Sequence, residues 1–333
     1  MRDVWKSHAY RKTDPLDETR DSPAEFEDVP EIPDRRLELM LVCAHPAIAA
    51  DIRAPLMLQT VLGVGAADIA RAFAVEPATM AQRLARAKKR IRDAGIPFTL
   101  PASTDVADRL PAVLEAVYGA YAVDWQLAQE IAVVETLSAE ALHLALVLTE
   151  LLPEEPEVLG LAALVCLSEA RRPARRVDGR FVPLDQQDST CWDAGLIARG
   201  EDLLHRAHRL GRPGRFQYEA AVQSAHCTRP TDLVALRTLY RALVNVAPSL
   251  GAAVALAAVD GEIDGPAAGL RALDALEAGL IERFQPAWTT RAHLLAAAGR
   301  PDEAAQAYRT AIELTADSAV ADHLRSRLGA LIG

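Results

Sequence analysis

Between Thr79 and Arg92 the chain reads TMAQRLARAKKRIR, with six basic residues and no acid. Thr79, Gln82, Arg83, Arg86, Lys89 and Arg90 fall at spacings of three and four, which collects them on one face of an α-helix. Met80, Leu84, Ala87 and Ile91 follow a second series of the same period, which makes a buried stripe. A helix with one apolar stripe and one Arg/Lys/Gln face can lie in the major groove of DNA. Arginine there offers paired donors to guanine and glutamine can pair with adenine, while Lys88, Lys89, Arg90 and Arg92 near the helix end suit phosphates. The candidate DNA-binding set is therefore Thr79, Gln82, Arg83, Arg86, Lys88, Lys89, Arg90 and Arg92. The competing account of the same residues is a solvated charged face, or one that docks a protein.

Positioning such a face takes a compact set of helices. Asp34 can cap a helix holding Leu37, Leu39, Met40 and Val42. A second helix is expected from about Asp51 to Leu62, with Ile52, Leu56, Leu58 and Val61 turned inward and Pro55 tolerated in the first turn. Gly63-Val64-Gly65 breaks it, and a short third helix holds Ile69, Ala70 and Phe73. After an Ala74-Val75-Glu76 turn, Pro77 opens the basic helix, which runs to about Asp93 and is stopped by Gly95 and Pro97. The pattern is a helix-turn-helix.

Charge is distributed to match. The whole chain of 333 residues carries a net charge of −10, which argues against indiscriminate binding to nucleic acid. Residues 14–34 hold nine acids and one base, whereas residues 35–95 hold ten bases and five acids. Positive charge is thus concentrated in one short segment.

Beyond Pro101 nearly everything reads as helix, with apolar-periodic stretches at 107–123, 125–136, 138–151, 156–171, 193–210 and 215–226. The polar stretch 171–190 reads as a long loop tied by salt bridges, with Trp192 as its aromatic anchor. No set of strands with alternating pattern and turns appears, so the expected fold is all-α. A weak repeat with an offset of 35 aligns Pro266 with Pro301 and Leu273 with Tyr308, and its second copy resembles a tetratricopeptide repeat. The expected organisation is an acidic linker or tail at 1–34, the helix-turn-helix at 35–98, a helical middle domain at 99–227 and tetratricopeptide-like repeats at 228–333.

Other chemistries find little support. Cys43, Cys166, Cys191 and Cys227 form no C-x-x-C pair, and four thiols in so long a chain do not build a disulfide scaffold. His205 and His208 share a helix face, with Cys191 and His226 elsewhere, but no further ligand motif accompanies them, so no metal is expected. Asp185, Asp188 and Asp193, with Glu169 upstream, are expected in salt bridges and loop contacts rather than in acid–base catalysis. His45 beside Pro46 is expected to cap or pack a loop. No phosphate-binding glycine motif occurs, so neither an enzyme nor a cofactor is expected. No apolar run approaches the length of a membrane span, and the first residues lack a signal-peptide core; a cytoplasmic location follows as an expectation.

The stretch IPDRRLELMLVCAHPAIAADIRAPLMLQTVLGVGAADIARAFAVEPATMAQRLARAKKRIRDAGIPF resembles region 4 of extracytoplasmic-function sigma factors. It is most similar to the branch whose region 4 is followed by a tetratricopeptide-like helical domain. LLPEEPEVLGLAALVCLSEARRPARRVDGRFVPLDQQDSTCWDAGLI is similar to the middle domain of that branch, and the resemblance spans residues 32–330. It implies a transcription initiation protein that reads the promoter −35 element and packs on the β-flap of RNA polymerase core. It also implies that the acidic segment is the linker between regions 2 and 4, and that the C-terminal repeats receive a regulatory protein or peptide. Nothing ahead of residue 34 resembles region 2, and EAVYGAYAVDW at 115–125 replaces an expected Asn-Glu-Gly-Tyr motif. A truncated sigma factor or a stand-alone region 4 protein fits these departures. The alternative is a non-enzymatic interaction or anti-sigma-like module built on a degenerate sigma domain.

Overall fold

The computed structural model describes residues 34–73, 75–93, 95, 103–126 and 131–332. The acidic segment falls outside these residues, apart from Asp34. The fold is all-α, with one short hairpin among the described residues.

Four helices form the N-terminal part: α1 (Arg35–Cys43), α2 (Ala50–Thr60), α3 (Ala66–Ala72) and α4 (Pro77–Asp93). Asp34 caps α1 as expected, accepting from the Arg36 backbone N–H at 2.8 Å. Its carboxylate also meets the Arg36 guanidinium at 2.7 Å and His143 Nε2 at 3.1 Å. The Arg36 hydrogen bonds hold the Asp34 carboxyl well below the usual carboxylate range. Pro55 lies within α2 with Ala54, Leu56, Met57 and Leu58, all buried.

The long helix α5 (Ser103–Gln126) packs against α1, α2 and α3, and also against α6 (Ile131–Leu151) and α7 (Pro156–Glu169). It therefore packs on the N-terminal helices and on the middle region alike, across the boundary expected near residue 98. Arg109 on α5 is buried and donates to the Leu41 carbonyl at 3.1 Å, satisfying an acceptor near the end of α1. From the other side, Arg36 pairs with Glu140 of α6.

The middle region departs from expectation in two places. The stretches read as separate helices at 125–136 and 138–151 contain one continuous helix, α6, from Ile131 onward. Within it the Ser138 side chain is buried and accepts a hydrogen bond from Arg172. The stretch read as a loop at 171–190 contains a short helix α8 (Arg172–Arg175), strands β1 (Arg176–Val177) and β2 (Arg180–Phe181), and two 3-10 turns. The strands pair antiparallel about Asp178-Gly179, whose φ angles of 51° and 75° suit a tight two-residue hairpin turn. Two residues per strand are too few for an alternating pattern to appear in sequence.

The rest is a run of packed helices: α9 (Ala194–Arg209), α10 (Arg215–Cys227), α11 (Leu233–Val246), α12 (Leu250–Asp264), α13 (Pro266–Asp274), α14 (Ala278–Ile281), α15 (Gln285–Ala297), α16 (Pro301–Leu314) and α17 (Ser318–Ile332). Glu157 of α7 accepts from the Phe216 backbone N–H at 2.9 Å and so closes the N-terminus of α10 from outside. Pro266 and Pro301 each open the second helix of a hairpin, where a missing N–H costs nothing. Leu270, Leu273, Leu294, Ala304, Tyr308 and Ala311 form the shared core of this last part. The hairpin β1–β2 meets α17 through an Arg176–Asp317 ion pair and a Phe181–His323 edge contact at 5.6 Å.

Candidate nucleic-acid interface

Helix α4 is seated on α2 and α3 by Met80, Leu84 and Ala87, each no more than 6% exposed. Ile91, the fourth member of the expected stripe, is half-buried, because it falls in the last turn, where the supporting helices end. Ile69 and Ala70 are fully buried beneath the turn, and Phe73 is half-buried. Glu76, just ahead of the helix, accepts from the Thr79 backbone N–H at 2.9 Å and caps its first turn.

On the opposite face Thr79, Gln82, Arg83, Arg86, Lys89, Arg90 and Arg92 are all exposed, and Lys88 is half-buried. Lys88 lies between the two faces and is turned partly against the protein. Lys89 pairs with Asp93 at 3.2 Å across one turn. Arg83 faces Asp51 of α2 at 3.7 Å, and both side chains are largely in water. The N-terminal end of α2 and the flank of α4 bound a groove of about 410 Å³. Its floor is apolar (Ile48, Ile52, Ala87), and Arg83, Arg86, Arg90 and Asp51 also line it. The first turn of α2 has no side-chain cap, since Ala49 stands at that position. Groove and cationic face together can accept a negatively charged, ridged surface and supply several guanidinium donors to it.

Sequence reading marks Asp51 only as the start of a helix. Its position opposite Arg83 depends on how α2 crosses α4, and no local pattern encodes that. His45 packs its loop as expected, with Nδ1 accepting from the Ala47 N–H at 3.1 Å.

Most of the remaining candidates have structural partners. His205 and His208 are both exposed, and His205 Nδ1 contacts the Glu201 carbonyl at 2.7 Å. Cys191 is exposed and His226 lies against the Tyr240 hydroxyl at 3.5 Å. Among the described residues no group of three or more His, Cys, Asp or Glu side chains could hold a metal ion. Asp188 caps a 3-10 turn and Asp193 caps α9, accepting from Thr190 and Leu196, and Glu169 pairs with Arg172 at 2.7 Å. Trp192 is 8% exposed with the Arg229 guanidinium 4.7 Å above its ring, which anchors the segment as expected. Arg171 is 6% exposed and bonds Gln223, while burial first, then Arg171 and Arg229, push the His226 imidazole down to about 4. No helix among the described residues is long and apolar enough to cross a membrane.

Residues 109–208, from α5 through α9, match a family of unknown function, DUF6596. An uncharacterized protein of Rhizobium meliloti (strain 1021) is 34% identical over 319 residues, covering 94% of this chain and 75% of that protein. No solved structure matches the chain.

Proposed function

We propose that the chain, which belongs to the same family as this Rhizobium meliloti protein, is a transcription regulator of sigma-factor type that binds promoter DNA through α4. The observation that carries this reading is the division of α4 into two faces. Met80, Leu84 and Ala87 fix the helix to the protein, while seven of the eight polar and basic candidates stand in water on the other side. Gln82, Arg83 and Arg86 take base edges in this reading, and Lys88, Lys89, Arg90 and Arg92 take phosphates. The apolar floor of the α2–α4 groove suits a helix of the RNA polymerase core flap. Between α13, α15 and α16 a second groove of about 250 Å³, lined by Trp288, Arg291 and Arg300 among others, suits a regulatory protein or peptide. A protein of this kind works in the cytoplasm, where promoter and polymerase are.

The test is binding of the full chain to a duplex selected by it from a randomised pool, at several salt concentrations. Arg86→Ala is expected to weaken binding by about 1–3 kcal/mol for a lost base contact, and Lys89→Ala to weaken selected and scrambled duplexes alike. A pull-down with purified core polymerase tests the second partner. Equal affinity of the Arg86→Ala and unaltered chains for the selected duplex would remove α4 as the reading element.

A further inference from the structure

We propose that Asp51 is a specificity-determining positioning residue that holds Arg83 in register for a base edge and bars phosphates from the groove beside it. This inference rests on the reading of α4 as a DNA-binding helix.

Two observations carry it. First, the Asp51 carboxylate stands 3.7 Å from Arg83 Nη1, and the two residues lie on different helices, so the pair spans the groove wall. Second, Asp51 is the only acid among the groove-lining residues, against the three arginines Arg83, Arg86 and Arg90. An exposed pair of this kind adds little to folding, so its effect is on how Arg83 meets a ligand. A guanidinium has donors on more than one edge. With one nitrogen facing Asp51, the opposite edge remains available for the two acceptors of a guanine, and both contacts coexist. A DNA phosphate entering the groove to meet Arg83 comes up against the Asp51 carboxylate instead. One side chain thereby favours the base contact and penalises the backbone contact.

The experiment compares the unaltered chain, Asp51→Asn, Asp51→Glu, Arg83→Ala and the Asp51→Asn/Arg83→Ala double variant, all full length. The probes are a 20-base-pair duplex selected from a randomised pool by the unaltered chain, about two helical turns of DNA, and a scrambled duplex of the same composition. Asp51→Asn is expected to bind the scrambled duplex several-fold more tightly at low salt and the selected duplex more weakly. The ratio of the two affinities should fall about 10-fold, within the range of one base contact. The salt dependence of scrambled binding should steepen by roughly one phosphate contact. Asp51→Glu should restore most of the ratio, and once Arg83 is alanine Asp51→Asn should no longer weaken the selected duplex, keeping only its gain on the scrambled one. Selective binding that Asp51→Asn leaves unchanged overturns the role of Asp51 and leaves α4 standing as the reading element. Absence of selective binding by the unaltered chain overturns both.

Discussion

Helices α4 and α7 are close in length and opposite in surroundings. Of the fourteen residues of α7, twelve are buried, whereas α4 buries three of its seventeen. The first is enclosed by α5, α6, α9 and α10; the second rests on α2 and α3 along one stripe. A helix buried all round is specified by packing on every side and tolerates change nowhere. A helix buried on one stripe keeps its other face independent of the fold, so that face is available for a ligand. The family-matched stretch at 109–208 includes the whole of α7 and none of α4.

The contrast can be broken from either side. Leu161→Ala on α7 removes a side chain with no exposure and should destabilise the protein by about 4 kcal/mol, read from chemical denaturation. A cost under 1 kcal/mol would mean that α7 is not enclosed as described. The neighbouring α10–α11 contact has a pH signature. His226 titrates near 4 in the folded chain against the ordinary 6.5, so between those values the unfolded chain binds more protons. Its contribution is complete above pH 6.5 and is lost as pH falls toward 4, up to about 3 kcal/mol in all. His226→Gln should flatten that part of the stability curve, and an unchanged slope would refute the assignment. Leu84→Ala on α4, although 1% exposed, should cost less than Leu161→Ala, about 2 kcal/mol, because a one-sided site collapses more readily. Glu76→Ala removes only the cap on Thr79 and should cost about 1 kcal/mol or less, seen as faster amide exchange in the first turn of α4.

Much of the architecture is visible in the linear pattern, for identifiable reasons. Asp34 and Pro77 mark helix starts in the sequence and stand at helix starts in the structure. Caps and first-turn prolines act locally, so a reading of neighbours finds them. The two faces of α4 are equally local, since a 3.6-residue period needs no tertiary information. The continuous α6 and the hairpin at Arg176–Phe181 escaped that reading. Ser138, in α6, is held by Arg172, 34 residues away in the chain, and β2 rests on α17 more than a hundred residues later.

By itself, the sequence determined the helical character of the chain, the register of α4 and which of its residues face outward. These follow from spacing and from the free energy of removing apolar side chains from water. Only the tertiary structure decided that α5 packs on the N-terminal helices and the middle region together, and that a carboxylate from α2 stands beside Arg83. The angle at which two helices cross is set by the packing of both surfaces at once, and no local stretch of residues contains it.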